Sequence, residues 1–181
     1  EILIGLVGSE MCIRDSDGTE DDYVEKFKYA LLSKKERARF PDDVEFKVAF
    51  EERPVYLMNS KNKIYILERF ENFGTSEDKD VYRHCDDGTY SIEHIMPQHL
   101  TPVWQKELGD DYEQIHEEWL HRMANLTLTA YNSKYNNSSF TEKKTMQNGF
   151  DDSGIRMNTW IAKKNKWTLA ELEERSEYLM S

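Results

Sequence analysis

This chain has only two cysteines, Cys12 and Cys85, which provide no framework of bridges and no paired spacing for a thiolate metal site. It lacks any apolar run approaching the about 20 residues that a membrane span needs. Its mean hydropathy is -0.82, so a soluble protein with no membrane association is expected. The N-terminal apolar stretch, residues 2–7, is short and no basic segment precedes it. It does not read as a secretory signal, and a reducing cytoplasm is the expected compartment. There is no Gly-x-x-x-x-Gly-Lys-Ser/Thr stretch, so this sequence contains no P-loop, and any nucleotide dependence must reside elsewhere. No internal repeat and no low-complexity tract is found.

Positive charge is also scarce. Lys and Arg number 24 against 35 Asp and Glu, a net charge of -11 over 181 residues. A polyanion is repelled by that total, whereas nucleic-acid domains usually carry a basic footprint. The distribution is uneven. Between residues 131 and 167 there are seven basic side chains (Lys134, Lys143, Lys144, Arg156, Lys163, Lys164, Lys166) and three acidic ones, so a phosphate-facing part need not share the global sign. The acidic segment at 107–118 reads as a solvated face. Weak binding by this chain alone is expected, with affinity supplied by other domains or subunits.

A pass along the chain suggests helices and two short strands. Residues 23–38 carry apolar side chains at helical spacing, and Phe40-Pro41 interrupts them; Asp42 then opens a second helical pattern. Residues 63–70 (KIYILERF) fit either strand or helix, and the polar stretch 74–88 reads as a loop. Residues 89–95 are rich in β-branched and aromatic types and read as a strand ended by Pro97. Asp111 can cap a helix whose Tyr112, Ile115 and Trp119 share a side. Residues 125–129 alternate leucine and threonine as a second strand. A helix then starts within 131–135 and is broken early by Asn136-Asn-Ser-Ser139. Two more helices follow near 155–163 and 169–179, the latter opened by a capping box of Thr168 with Glu171.

The chemistry gathers in three short runs: Tyr90-Ser-Ile-Glu-His-Ile-Met-Pro-Gln98, Met123-Ala-Asn-Leu-Thr-Leu-Thr-Ala-Tyr-Asn132 and Phe140-Thr-Glu-Lys143. Phosphodiester hydrolysis needs an activated water, charge neutralisation on the phosphate and help for the departing oxygen. His94 is the candidate general base, since an imidazole titrates near neutrality; without the surrounding motif, a strand-end histidine is better explained by a structural hydrogen bond. Glu93 is a candidate ligand for Mg²⁺ (or Mn²⁺) through a carboxylate oxygen, with Asn132 the second through its amide oxygen. That pair leaves positions for water and phosphate. Lys143 is a candidate phosphate clamp, for which Lys144, Asn136 and Asn137 are substitutes in the same polar role. Phe140 reads as core. Adjacent residues of a regular strand point to opposite faces, so Glu93 and His94 can share a site only if the strand end bends.

These runs resemble the HNH, or His-Me finger, endonucleases. With Ile64-Tyr-Ile-Leu67, Met157-Asn-x-Trp160, Trp167-Thr168 and Arg175 added, residues 40–179 look like the C-terminal nuclease domain of GmrSD-type, modification-dependent restriction enzymes. The resemblance implies a mixed, helix-rich α+β domain around a ββα-metal core at about 89–145, with KIYILERF helical. It implies that the strand end does bend. It also implies that Asn125 bonds across the hairpin to hold the loop and orient His94. Many relatives have glycine where this chain has Ala124, which would be strained if that position required positive φ. The expected activity is a metal-dependent endonuclease acting on foreign or modified DNA in host defence. A missing N-terminal NTPase domain related to the ParB fold is the implied partner. The competing readings are an inactive HNH-like module that binds nucleic acid or a partner, and a nuclease that acts on RNA or indiscriminately, as a toxin does.

Other features carry less. His116-Glu-Glu-Trp-Leu-His121 nearly spells the zinc-protease signature, but five helical steps at about 100° each separate the two imidazoles by roughly 140°. His84 and His99 are expected to be exposed or in loops, and Arg175 reads as a structural ion-pairing group. Residues 1–16 resemble translated adapter sequence rather than the start of a domain; on that reading Cys12 is not native and the true N-terminus is missing. Residues 17–39 are then a helical lead-in to a nuclease domain at 40–181.

Overall fold

Caps and a few apolar anchors decide where the helices begin. The computed structural model describes residues 20–33, 41–131 and 135–181, and the chain divides into two units, Glu1–Phe50 and Glu51–Ser181. The segment 1–16, with its expected foreign origin, lies outside the described residues, as do 34–40. In the first unit, α1 covers Glu20–Leu32. The next helix, α2 (Asp43–Glu52), runs across the division and opens at Asp42 as anticipated. Asp42 Oδ1 accepts from the Glu45 N–H at 2.8 Å and Glu45 Oε2 accepts from the Asp42 N–H at 3.2 Å, which satisfies donors that a helix start leaves without partners.

The second unit begins with a 3-10 turn at Val55–Leu57 and α3 (Ser60–Asn72). KIYILERF is therefore helical, with Asn59 capping through the Asn62 N–H at 2.9 Å. On its inner face Glu71 is fully buried. Its Oε1 accepts from Lys79 Nζ (2.7 Å) and the Arg156 N–H (2.9 Å), and its Oε2 from the Met157 N–H (3.0 Å). This carboxylate ties α3 to α8 (Arg156–Ala162).

The stretch expected as a loop contains α4 (Val81–Asp86). Polar composition hides it, because one cap and one anchor suffice: Asp80 accepts from the Arg83 N–H at 2.9 Å and Val81 is fully buried. Likewise α5 (Pro102–Leu108) has proline in its first turn, buries Trp104 and Leu108, and ends on Gly109 at φ +87°. In α6 (Tyr112–Trp119) Ile115 and Trp119 are buried as their spacing indicates, but the Asp111 side chain makes no cap bond. Its backbone sits at φ -89°, ψ 18°, not in the extended conformation that aims a capping oxygen.

β1 (Ser91–His94) and β2 (Leu126–Thr129) pair antiparallel, with Glu93 opposite Thr127 and His94 opposite Leu126. The whole of β2 is buried, its threonines included. The reason is α8, whose Asn158 accepts from Thr127 Oγ1 at 2.5 Å and donates to the Leu128 carbonyl at 3.2 Å, so burial leaves the hydroxyl satisfied.

The start of the helix expected at 131–135 falls largely on 132–134, outside the described residues. Further on, α7 (Phe140–Thr145) is opened by a capping box of Ser139 and Glu142. The chain then folds back over the carbonyl end of α7. The Phe150 and Asp151 N–H groups bond Lys143 and Lys144 carbonyls at 3.1 Å, and a Cβ on Gly149 would stand 2.5 Å from the Lys143 oxygen. The last helix, α9 (Leu169–Leu179), has the Thr168–Glu171 box read in the sequence. Trp104, Phe140, Phe150, Trp167 and Leu172 fill the core, each such side chain contributing about 1.5–3 kcal/mol. The fold is a helix-rich α+β domain around a two-stranded sheet. Among the described residues no helix is long and apolar enough to cross a membrane.

Candidate active site

The end of β1 is bent by one amide. Past His94 the ladder gains one more bond, from the Ile95 N–H to the Asn125 carbonyl at 3.0 Å. The fully buried Asn125 side chain then holds Met96 at both backbone groups: Oδ1 accepts its N–H at 2.8 Å and Nδ2 donates to its carbonyl at 2.9 Å. Nδ2 also reaches the Leu120 carbonyl at 3.0 Å, and Trp167 Nε1 donates to Oδ1 at 3.3 Å. With its amide saturated, Asn125 turns the chain sharply before Pro97. Ala124 is not among the residues at positive φ, so alanine is unstrained there.

The turn resolves the alternation problem. Glu93 and His94 line one cleft of about 250 Å³ together with Tyr56, His99, Asn136 and Asn137. Glu93 is 4% exposed. Its Oε1 accepts from Lys143 Nζ at 2.5 Å, and among the described residues Oε2 has no hydrogen-bond partner. Burial pushes the Glu93 carboxyl up and the Lys143 ammonium down, in each case overcoming their mutual attraction. His94, 5% exposed, is pushed down to about 3, first by burial and then by positive charge at His121, Lys143, His116 and Lys63. It is a neutral imidazole at physiological pH.

Residues 40–181 match the family described as GmrSD restriction endonucleases, C-terminal domain. This chain belongs to that family. No curated protein matches it.

In this GmrSD C-terminal domain, the expected site residues are placed unevenly around the cleft. Lys143, expected as a phosphate clamp, is at the site with its ammonium turned to protein acceptors. It is fully buried, and its ammonium donates to Glu93, to the His94 carbonyl (2.8 Å) and to the Ile95 carbonyl (3.2 Å). Lys144 is not brought to the cleft, because its ammonium donates to the Lys164 carbonyl at 2.7 Å. Asn136 and Asn137 do line the cleft, Asn136 at φ +41°, a conformation asparagine tolerates better than most residues. Asn132 lies outside the described residues.

Several members of the local basic surplus are engaged within the protein. Arg156 bonds Glu71, Asn72 and Glu77 oxygens, Lys164 pairs with Glu174, and Lys166 lies 3.8 Å from Glu171. Arg175 makes no ion pair among the described residues. It is buried with Nη1 donating to the Ala124 carbonyl at 2.9 Å and its guanidinium 5.8 Å from the Trp167 ring centre. Burial lowers it to about 9. His84 is not in a loop but in α4, 4.7 Å from the Tyr90 ring, whereas His99 is exposed at the cleft.

Tyr56 and His121 are site residues that no sequence motif marks. His121 Nδ1 lies 3.3 Å from His94 Nε2, and Tyr56 packs edge-on against His94 at 4.3 Å and parallel to His121 at 5.4 Å. The helical angle expected between His116 and His121 does not apply, because α6 ends at Trp119, before His121; His116 Nε2 bonds the Pro97 carbonyl at 3.0 Å. The one signal for His121 in the sequence is that pair, which reads there only as a failed protease motif.

Proposed function

We propose that this chain is the nuclease domain of a metal-dependent restriction endonuclease that hydrolyses DNA phosphodiester bonds with an HNH-type site. The observation that carries this reading is the convergence of Glu93 and His94, neighbours on one strand, on a single cleft. The neutral His94 imidazole takes the proton of the attacking water. Lys143 holds Glu93 by one oxygen, and among the described residues the other has no hydrogen-bond partner.

Hard oxygen donors fit a divalent ion of the Mg²⁺ or Mn²⁺ type. Glu93 would supply one, and the amide oxygens of Asn132 and of Asn136 or Asn137 are the further candidates. When bound, such an ion neutralises charge on the phosphate and assists the departing oxygen. Among the described residues no three His, Cys, Asp or Glu side chains gather as a cage, and an ion held by so few protein oxygens would keep positions for water and phosphate. Asn125 acts behind the site, holding the turn that follows the strand carrying Glu93 and His94.

Foreign or modified DNA is the proposed substrate, in cytoplasmic antiviral defence. Since Lys143, Lys144, Arg156 and Lys164 are engaged within the protein, affinity for DNA comes largely from a partner domain, for which an N-terminal NTPase related to the ParB fold is the proposal. The test incubates the chain and His94→Ala with plasmid DNA and with RNA, adding Mg²⁺, Mn²⁺ or chelator. DNA cleavage that needs metal and falls about 10²–10⁴-fold in the variant is expected. Equal cleavage by His94→Ala would overturn the proposal, and cleavage of RNA alone would replace DNA by RNA as substrate.

A further inference from the structure

We infer that His121 is a positioning residue that fixes the tautomer of His94 and so decides which of its nitrogens faces water. The inference rests on the nuclease reading above and deepens it. A neutral imidazole has one N–H and one lone pair, and the partner of one nitrogen determines what the other can do. His94 Nε2 is engaged by His121 Nδ1 at 3.3 Å, which leaves Nδ1 as the nitrogen for the cleft that His94 lines. When Nε2 carries the proton and donates to His121, the Nδ1 lone pair is free to accept a proton from water. The opposite tautomer aims its lone pair at His121 and presents an N–H to the cleft, where it cannot act as a base.

The approach of the two rings is built into the fold. The Tyr56 N–H donates to the His121 carbonyl at 3.1 Å, and the Tyr56 ring packs on both imidazoles. Lys63 in turn donates to the Tyr56 carbonyl at 3.1 Å and lies 4.6 Å from its ring centre. On the other side, Asn125 binds both Met96, two residues beyond His94, and Leu120, the residue before His121. One buried amide thereby sets the separation of the two histidines. A histidine that was only filling space would not need its Nδ1 aimed at the ring nitrogen of the proposed base.

The test compares His121→Leu, which removes the acceptor, with His121→Asn, which places an amide oxygen near the Nδ1 position, and His121→Gln, whose polar group reaches past it. Turnover and KM are measured on plasmid DNA, and the His94 tautomer is read from long-range nitrogen–proton NMR spectra. Circular dichroism and thermal melts establish that each variant is folded. The wild type is expected to show the Nε2–H tautomer at His94. In His121→Leu that tautomer is lost and kcat falls about 10–100-fold, as for other orienting partners, with KM little changed; Asn restores most of the rate and Gln does not. An unchanged tautomer and kcat in folded His121→Leu would overturn the inference. Absence of cleavage in the wild type, or its persistence in His94→Ala, overturns the nuclease reading instead, and the spectra still decide whether His121 sets the tautomer.

Discussion

Two buried carboxylates of this protein have opposite states. Glu71, under α3 and α8, has donors on both oxygens: Lys79 and the Arg156 N–H on one, the Met157 N–H on the other. Glu93, at the end of β1 and lining the cleft, has Lys143 on one oxygen and, among the described residues, no hydrogen-bond partner on the other. A saturated carboxylate has no capacity left for a ligand, and its burial is offset within the fold. A half-satisfied one keeps a lone pair for an incoming cation, at the expense of a carboxyl raised by burial. The difference separates a structural clasp from a candidate ligand, although the two residues are the same type and both are buried.

Isosteric substitution should expose the contrast most visibly. Glu93→Gln is expected to lower metal-dependent cleavage by more than about 100-fold, beyond the usual loss for a supporting residue. Glu71→Gln should leave cleavage per folded molecule unchanged, losing stability instead because the substituted amide faces an N–H it cannot accept. Plasmid assays beside urea unfolding curves measure both, and equal activity losses would erase the distinction.

Next in size, Lys143→Met strands the Glu93 charge and should cost about 3–5 kcal/mol at neutral pH. Without the ammonium only burial acts on Glu93, so its folded-state value rises further above the unfolded one. The folded variant then takes up a proton more readily, and its deficit relative to wild type should shrink as pH falls. Chemical denaturation of both proteins at pH 7 and pH 5 measures this; a deficit that does not narrow would mean that Glu93 is not the stranded group.

A smaller effect belongs to His94. Its folded value near 3 lies below the ordinary 6.5, so between these the unfolded chain binds the proton. Stability from this group is present above about pH 6.5 and is lost as pH falls toward 3, by about 2 kcal/mol at pH 5. His94→Ala should flatten that part of the wild-type profile, as thermal melts across the range would record. Smallest of all, Ser139→Ala removes the cap of the helix that carries Lys143 and should cost about 1 kcal/mol in urea unfolding. Cleavage by the folded molecule should be unaffected, since the ammonium is held from the strand side as well.

Helices with strong caps are legible in the chain, as at Asp42 and Thr168, and so are both strands. Ser139-x-x-Glu142 is a signature of the same kind, masked by the asparagines before it, which suggest only a break. α4 is hidden by its polar composition, since its stability comes from the burial of Val81 and not from any periodic face. At the site, Glu93, His94 and Asn125 are readable because each belongs to a short run of characteristic spacing. Lys143 also stands out in the sequence, but as a phosphate clamp and not as the buried partner of Glu93. Spacing carries a charge's position along the chain but not whether it is buried.

The sequence by itself determined the family, the paired carboxylate and imidazole, and the asparagine that bends their strand, since all of these lie within or beside short local motifs. Only the tertiary structure decided which polar atoms were left unpartnered. Lys143 meets Glu93 across 50 residues of chain and His121 meets His94 across 27. Such meetings are set by how helices and strands pack around a shared core, and packing between distant segments leaves no periodicity in the chain to read.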